Sequence, residues 1–184
     1  MKFIALPLTF SVLLLLAPRV HGGETDVQTL PFTRGVERFD GSARHDPDVG
    51  HDGKGALRLA ADFTMSRHGK VSCTRYLRLK RPVREVVFQV RSTTANRLDV
   101  RWVDATAQKH LQHVRFRADG KWHPIRVTQF AGDETWHGAA DGTFYMPPRR
   151  LRFILKEDHV VAGQEAEVWV DDLRIVQEPE ADGG

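Results

Sequence analysis

Apolar and polar residues alternate along this chain with the period of two that belongs to half-buried strands, and no stretch sustains a helical period with caps. Short runs rich in Val, Ile, Phe, Trp and Arg recur between Gly, Pro, Asp and Asn punctuation. They predict about nine strands, near 36–39, 56–63, 70–80, 84–92, 98–104, 110–117, 123–129, 150–156 and 166–176. Turns at this spacing favour an antiparallel β-sandwich over a parallel sheet. The last run, from Glu167 to Ile175, breaks its own alternation. Val168 and Val170 share one parity, Leu173 and Ile175 the other, so the strand changes face at Asp171 and Asp172. A β-bulge produces such a switch, and two acids placed there suggest a fixed charge or a cation.

One hairpin can be registered from side-chain complementarity. A loop at 105–109 sets Leu98 against Phe116, Val100 against Val114, Trp102 against Gln112 and Asp104 against His110. On the opposite face Asp99 meets Arg115, Arg101 meets His113 and Val103 meets Leu111. This register matches apolar with apolar and acid with base, which a slip by one residue would destroy. The even face is core that turns polar toward the loop, and the odd face is charged.

Composition narrows the setting. An apolar run from Phe3 to Leu16 follows Lys2, and small residues close it at Gly22, the layout of a secretory leader over 1–22 cut near Gly22 or Gly23. The run is short for a spanning helix and Pro7 interrupts it, so no membrane span is expected after cleavage. The chain is thus expected to be secreted or periplasmic, with one domain over 24–177 and a frayed tail over 178–184. Of 27 Lys and Arg, Lys2 and Arg19 leave with the leader, so 25 cations face 24 acids, a formal charge of +1. Those cations are interleaved with acids, so nucleic acid is not an expected partner. Cys73, the only cysteine, has no internal partner and reads as a small buried hydrophobe.

Three constellations carry candidate chemistry. The hairpin offers Arg101, Asp104, Gln108, His110, Gln112 and His113, whose planar groups suit paired hydrogen bonds to vicinal hydroxyls; the same residues also make an ordinary solvated strand face. The Gly-rich segment 135–145 carries Trp136, Asp141 and Tyr145. There the rings give a platform for a sugar and the carboxylate takes its hydroxyls, or else the rings tuck onto the sandwich to anchor a long loop. Asp171 or Asp172, together with Glu37, Asp40 or Asp52 and the carbonyls of the 50–55 turn, supplies oxygens for Ca²⁺; the alternative is plain turn and bulge chemistry. Zinc is not expected, since His110 and His113 fall on opposite faces of a strand. No catalytic residue is assigned, because no nucleophile motif or visible carboxylate pair starts a mechanism. Trp102 and Trp122 are expected mainly in the core.

The run from Gly53 to Leu59, with Asp62 and Phe63, resembles the early strand of galactose-binding-like jelly rolls. The ending from Val168 to Leu173 is similar to the closing strand of carbohydrate-binding modules of that superfold. Between them, Val90 to Ser92, Arg101 to Asp104, Gln108 to His110, Gly120 to Trp122 and Trp136 to Gly142 resemble modules of secreted bacterial polysaccharide-degrading proteins. The resemblance implies a noncatalytic jelly roll that binds a polysaccharide or other glycan. It also implies a structural Ca²⁺ bridging the two ends of the domain, with Asp171 the preferred acid, Glu37 a weaker partner and Asp172 beside them. Arg101, His113, Trp136, Asp141 and Tyr145 are the candidate ligand residues. A protein-interaction or envelope-structural module, docking through the Arg-rich face, is the alternative. A small polysaccharide-acting hydrolase is the third.

Overall fold

A computed structural model describes residues 26–64, 69–161, 163 and 165–180. The expected leader and the end of the expected tail lie outside the described residues. Twelve strands are present among them: β1 (Val27–Leu30), β2 (Asp40–Gly41), β3 (Arg44–Asp46), β4 (Ala56–Asp62), β5 (Lys70–Tyr76), β6 (Val83–Arg91), β7 (Arg97–Val103), β8 (Lys109–Arg115), β9 (His123–Val127), β10 (Glu134–Trp136), β11 (Arg150–Lys156) and β12 (Glu165–Gln177). They build two antiparallel sheets packed as a jelly-roll sandwich. One runs β3-β4-β12-β6-β9 with β1 added on β12; the other runs β10-β8-β7-β11-β5-β2.

Strand β12 is the spine of the first sheet, and its bulge explains how it serves three partners. Its first half pairs with β4 and its second half with β1, while β6 runs along the other edge. The register to β6 shifts between Asp171 and Arg174, and Asp172 sits at φ 49°. That extra residue turns the strand over, so Val168 and Val170 before it and Leu173 and Ile175 after it all reach the core. Core side chains alternate inward from both sheets, with Phe153 stacked on Phe39 at 5.6 Å and edge-on to Phe88 at 5.4 Å. Trp102 and Cys73 are fully buried, and burial pushes the Cys73 thiol up to about 12.

Three expectations need correction. Residues 36–39 form a tight turn, not a strand: Glu37 and Arg38 have φ of 46° and 61°, and the Phe39 amide donates to the Val36 carbonyl at 2.9 Å. Phe39 is core, so an apolar residue on a turn imitated a strand. The short strands β1, β2, β3 and β10, too brief for a period to show, were missed. The β7–β8 hairpin is closed two residues tighter than complementarity predicts, with Asp104 facing Gln108 across a three-residue loop. Asp104 caps that loop through the Thr106 and Gln108 amides, and Ala107 takes φ 70° to complete it. A shift of two keeps every side chain on its predicted face and changes only its partner. Asp99 thus meets His113, Arg101 meets Leu111 and Trp102 meets His110.

Candidate functional site

Residues paired directly across antiparallel strands share a face, so the register of the second sheet fixes what its outer surface displays. One transverse row reads Trp136, Lys109, Val103, Arg150, Tyr76. The next reads Glu134, Leu111, Arg101, Arg152, Thr74, Asp40. Aromatic rings therefore end the first row, and cations fill both. The Arg101 guanidinium lies 5.6 Å from the Trp136 ring centroid, and that of Arg150 lies 4.7 Å from Tyr76. Trp136 is half-buried, while Tyr76 is 60% exposed. Arg152 donates to the Thr74 hydroxyl at 2.6 Å. Burial lowers the basicity of Arg101, and the neighbouring Arg152 lowers it further.

One row farther from the hairpin loop, Asp99 is completely buried although it faces outward. Lys156 Nζ lies 2.6 Å from its carboxylate, His113 Nδ1 2.8 Å, Arg97 Nε 3.3 Å and His159 Nε2 3.4 Å. Burial pushes the Asp99 carboxyl up, but the nearby His159, Lys156 and His113 outweigh it and hold the group well below the usual carboxylate range. Asp99 thereby orients His113, whose Nε2 is 3.6 Å from Glu134.

At the other end the face stops at a sealed polar knot. Asp104 accepts from the Thr106 amide and hydroxyl and from the amides of Gln108 and Tyr145. Gln108 donates to the Thr143 carbonyl, and Asp104, Gln108 and His110 are all fully buried. Burial raises the Asp104 carboxyl, yet these donors leave it below its ordinary value. The three residues therefore hold the hairpin tip and are not presented to a ligand, contrary to the hydroxyl-binding role expected for them. Tyr145 and Asp141 belong to this tip: the Tyr145 hydroxyl donates to Asp141 at 2.7 Å, and the Tyr145 carbonyl accepts from the Ala105 amide.

The expected metal acids are placed as follows. Asp171 is fully buried on the outer side of the first sheet beneath the 47–55 loop, accepting from the His51 and Asp172 amides at 2.7 Å each. His51 Nδ1 lies 2.7 Å from Asp172. Burial raises the Asp171 carboxyl, and the acids Asp172 and Asp52 add to that against the two amides. Glu37 lies instead on the 36–39 turn, where its charge acts on Arg75. No three His, Cys, Asp or Glu side chains among the described residues gather into a metal-holding group, so Glu37, Asp171 and Asp172 do not form the expected set. Trp122, expected in the core, is half-buried and edge-on to His51 at 6.0 Å.

Of the candidate ligand residues, Arg101, His113 and Trp136 share the outer face of the second sheet, while Asp141 and Tyr145 pair with each other at its rim. Sequence reasoning missed Lys109, Arg150, Arg152 and Tyr76. The outward parity of Tyr76, Arg150 and Arg152 was legible within their strands, since Arg150 and Arg152 alternate with Leu151 and Phe153, whereas Lys109 was placed in the loop. Their adjacency was not, because β11 inserts between β7 and β5.

No family model matches this chain, and no curated protein sequence matches it. Among solved structures, it is similar to a tandem of two family-22 carbohydrate-binding modules from Paenibacillus barcinonensis. The TM-score is 0.53 at 12% identity, covering 89% of this chain and 49% of that one. It is also similar to the family-11 carbohydrate-binding module of a cellulosomal cellulase of Clostridium thermocellum, with a TM-score of 0.51 at 10% identity, over 89% of this chain and 94% of that one. The fold is a jelly-roll β-sandwich like that of these carbohydrate-binding modules.

Proposed function

We propose that this protein is a secreted or periplasmic, noncatalytic carbohydrate-binding module-like protein that takes a glycan on the outer face of the second sheet. The observation that carries this reading is the row ended by Trp136 and Tyr76, each ring beside a guanidinium. An aromatic face packs on the C–H surface of a sugar, and the neighbouring arginines donate to its hydroxyls. Arg101 and His113 contribute donors within the face, and Asp141 with Tyr145 borders it at the tip. The acids that end the second row do not form a catalytic pair. Glu134 and Asp40 stand on opposite edge strands of the six-strand sheet, five spacings or about 24 Å apart at ~4.8 Å each. A glycosidase needs its two carboxyls only about 5–9.5 Å apart.

Affinity electrophoresis on a broad polysaccharide panel tests the reading. Retention is expected on at least one glycan, and Trp136→Ala should weaken it by about 1–3 kcal/mol, the loss typical of an aromatic anchor. Failure of every polysaccharide to retard the protein removes the assignment.

Calcium belongs to this proposal only through Asp171 and Asp172, with backbone oxygens of the 47–55 loop as the remaining donors. A cation bound to the native state alone must stabilise it, so Ca²⁺ should raise the melting temperature and EDTA lower it. An unmoved melting temperature removes calcium from the proposal.

A further inference from the structure

Four cations, Lys109, Arg101, Arg152 and Arg150, lie between Trp136 and Tyr76, and none forms an ion pair among the described residues. Of the acids nearest in register, Asp99 is engaged mainly by Lys156 and His113 although its charge also reaches Arg101, Glu134 faces His113, and Asp40 stands beyond Thr74 at the end of the row. Arg101 and Arg152 stand directly opposite one another on β7 and β11, an arrangement that destabilises a sheet. A sheet that keeps like charges adjacent and unpaired gives up stability for a functional need.

A second observation lies beyond Tyr76, at the edge of the sandwich, where Arg75 takes the inward side opposite Leu151. A hollow of about 260 Å³ is lined there by Arg38, Arg75, Arg78, Asp40, Gln28 and Tyr76. Arg75 is only 8% exposed, and among the described residues its Nε and Nη1 have no hydrogen-bond partner. Glu37 acts on this guanidinium without forming an ion pair with it among the described residues. Two unbonded nitrogens in a buried group are costly, and an oxyanion seated beside them would offset that cost. Arginine also presents a planar fork that matches the oxygens of such a group.

We propose that the glycan taken on this face is anionic, an extended chain of sugars bearing carboxylate or sulfate groups, and that the Arg38–Arg75–Arg78 hollow seats one of those groups. The inference rests on the glycan reading above and adds the class of ligand. A neutral chain would cover the four cations without compensating their charge. From Trp136 to Tyr76 the row crosses five strands, about 19 Å, a span that calls for an oligosaccharide. Single-stranded nucleic acid carries charge too, but rings that far apart do not form the continuous platform on which successive bases stack.

The test measures affinity for polygalacturonate, a sulfated galactan, neutral galactan, xylan and a single-stranded oligonucleotide. Tight binding is expected for polygalacturonate or the sulfated galactan, and the one retained identifies the anionic group. Shortening the Debye length from about 10 Å to about 3 Å, by raising salt from about 0.1 to 1 M, should weaken that binding strongly. Arg101→Gln with Arg152→Gln should weaken it about ten-fold or more, as loss of charge-assisted hydrogen bonds does. The melting temperature should hold or rise, because a repulsion is relieved. Arg150→Gln, at an exposed site, repeats the measurement should the double variant fail to fold. Arg75→Met should weaken the same ligand, and unchanged binding there removes the hollow from the proposal. Neutral glycans bound as tightly as anionic ones, with both arginine variants inert, overturn the charge assignment and leave the glycan reading standing. Preference for the oligonucleotide overturns the ligand class, and binding of no polysaccharide at all sinks the glycan reading itself.

Discussion

Asp99→Asn is expected to lower unfolding stability at pH 7 by about 3 kcal/mol, the low end of the range for removing one partner of a buried charge cluster. Lys156, Arg97 and His113 are each partly exposed, and turning them toward water limits the loss. The substitution preserves shape and removes only the charge that holds these groups together. The pH dependence has a definite sign. A carboxyl held below its ordinary value in the folded state contributes stability that is complete above the unfolded pKa of about 4 and is lost as pH falls below it. The parent protein should therefore lose stability steeply on acidification from about pH 5 to pH 3, and Asp99→Asn should lose less over the same interval. Urea melts of both proteins at the two pH values give the comparison. Parallel slopes would show that Asp99 is not the titrating group. Glycan retention should also weaken in the variant if His113 orientation matters to the face, which separates support of the site from support of the fold.

Gly138→Ala is expected to cost about 2–3 kcal/mol through overpacking. Gly138 lies at φ 55°, and a Cβ there would fall 2.2 Å from the Gln108 amide nitrogen and 2.5 Å from its Cα. Neither backbone atom can move without disturbing the Asp104 knot, so the 137–145 loop must lift. Lifting it breaks the hydrogen bonds that tie Thr143 to Gln108 and Tyr145 to Asp104. Amide exchange at Gln108 and Tyr145 should accelerate along with the fall in stability. Gly142→Ala is the control: its φ is 78°, and nothing among the described residues lies within 4 Å of the added methyl. Only the backbone term remains there, about 1 kcal/mol. Equal effects at the two glycines would mean that close approach to the hairpin tip is unimportant.

The two glycines also show where local pattern stops being informative. The segment around Trp136 was recognisable as a Gly-rich loop with aromatics, but sequence left open whether those rings were presented or tucked away. The fold answers differently for each. Trp136 is part of a strand and shares the outer face with Arg101, whereas Tyr145 is tied to Asp141 at the rim. Glu37 was grouped with Asp171 because first and last strands often adjoin. They do adjoin here through β1, but residues 36–39 turn away from that edge and bring Glu37 to Arg75.

What the sequence determined by itself is what a period of two can encode. Parity placed Asp99, Arg101 and His113 on one face and Trp102 and His110 on the other. The break in parity located the bulge at Asp171 and Asp172. Both survive a register error of two residues, because such a slip returns every side chain to its own side. Only the tertiary structure decided which strands lie next to one another. The order β8-β7-β11-β5 joins segments far apart in sequence, and no local pattern records a pairing made by chain closure and shared core packing. That order sets Arg101 against Arg152, places Tyr76 across the sheet from Trp136, and opens the hollow around Arg75. The elements of the face were thus written locally, and the face itself was made by the fold.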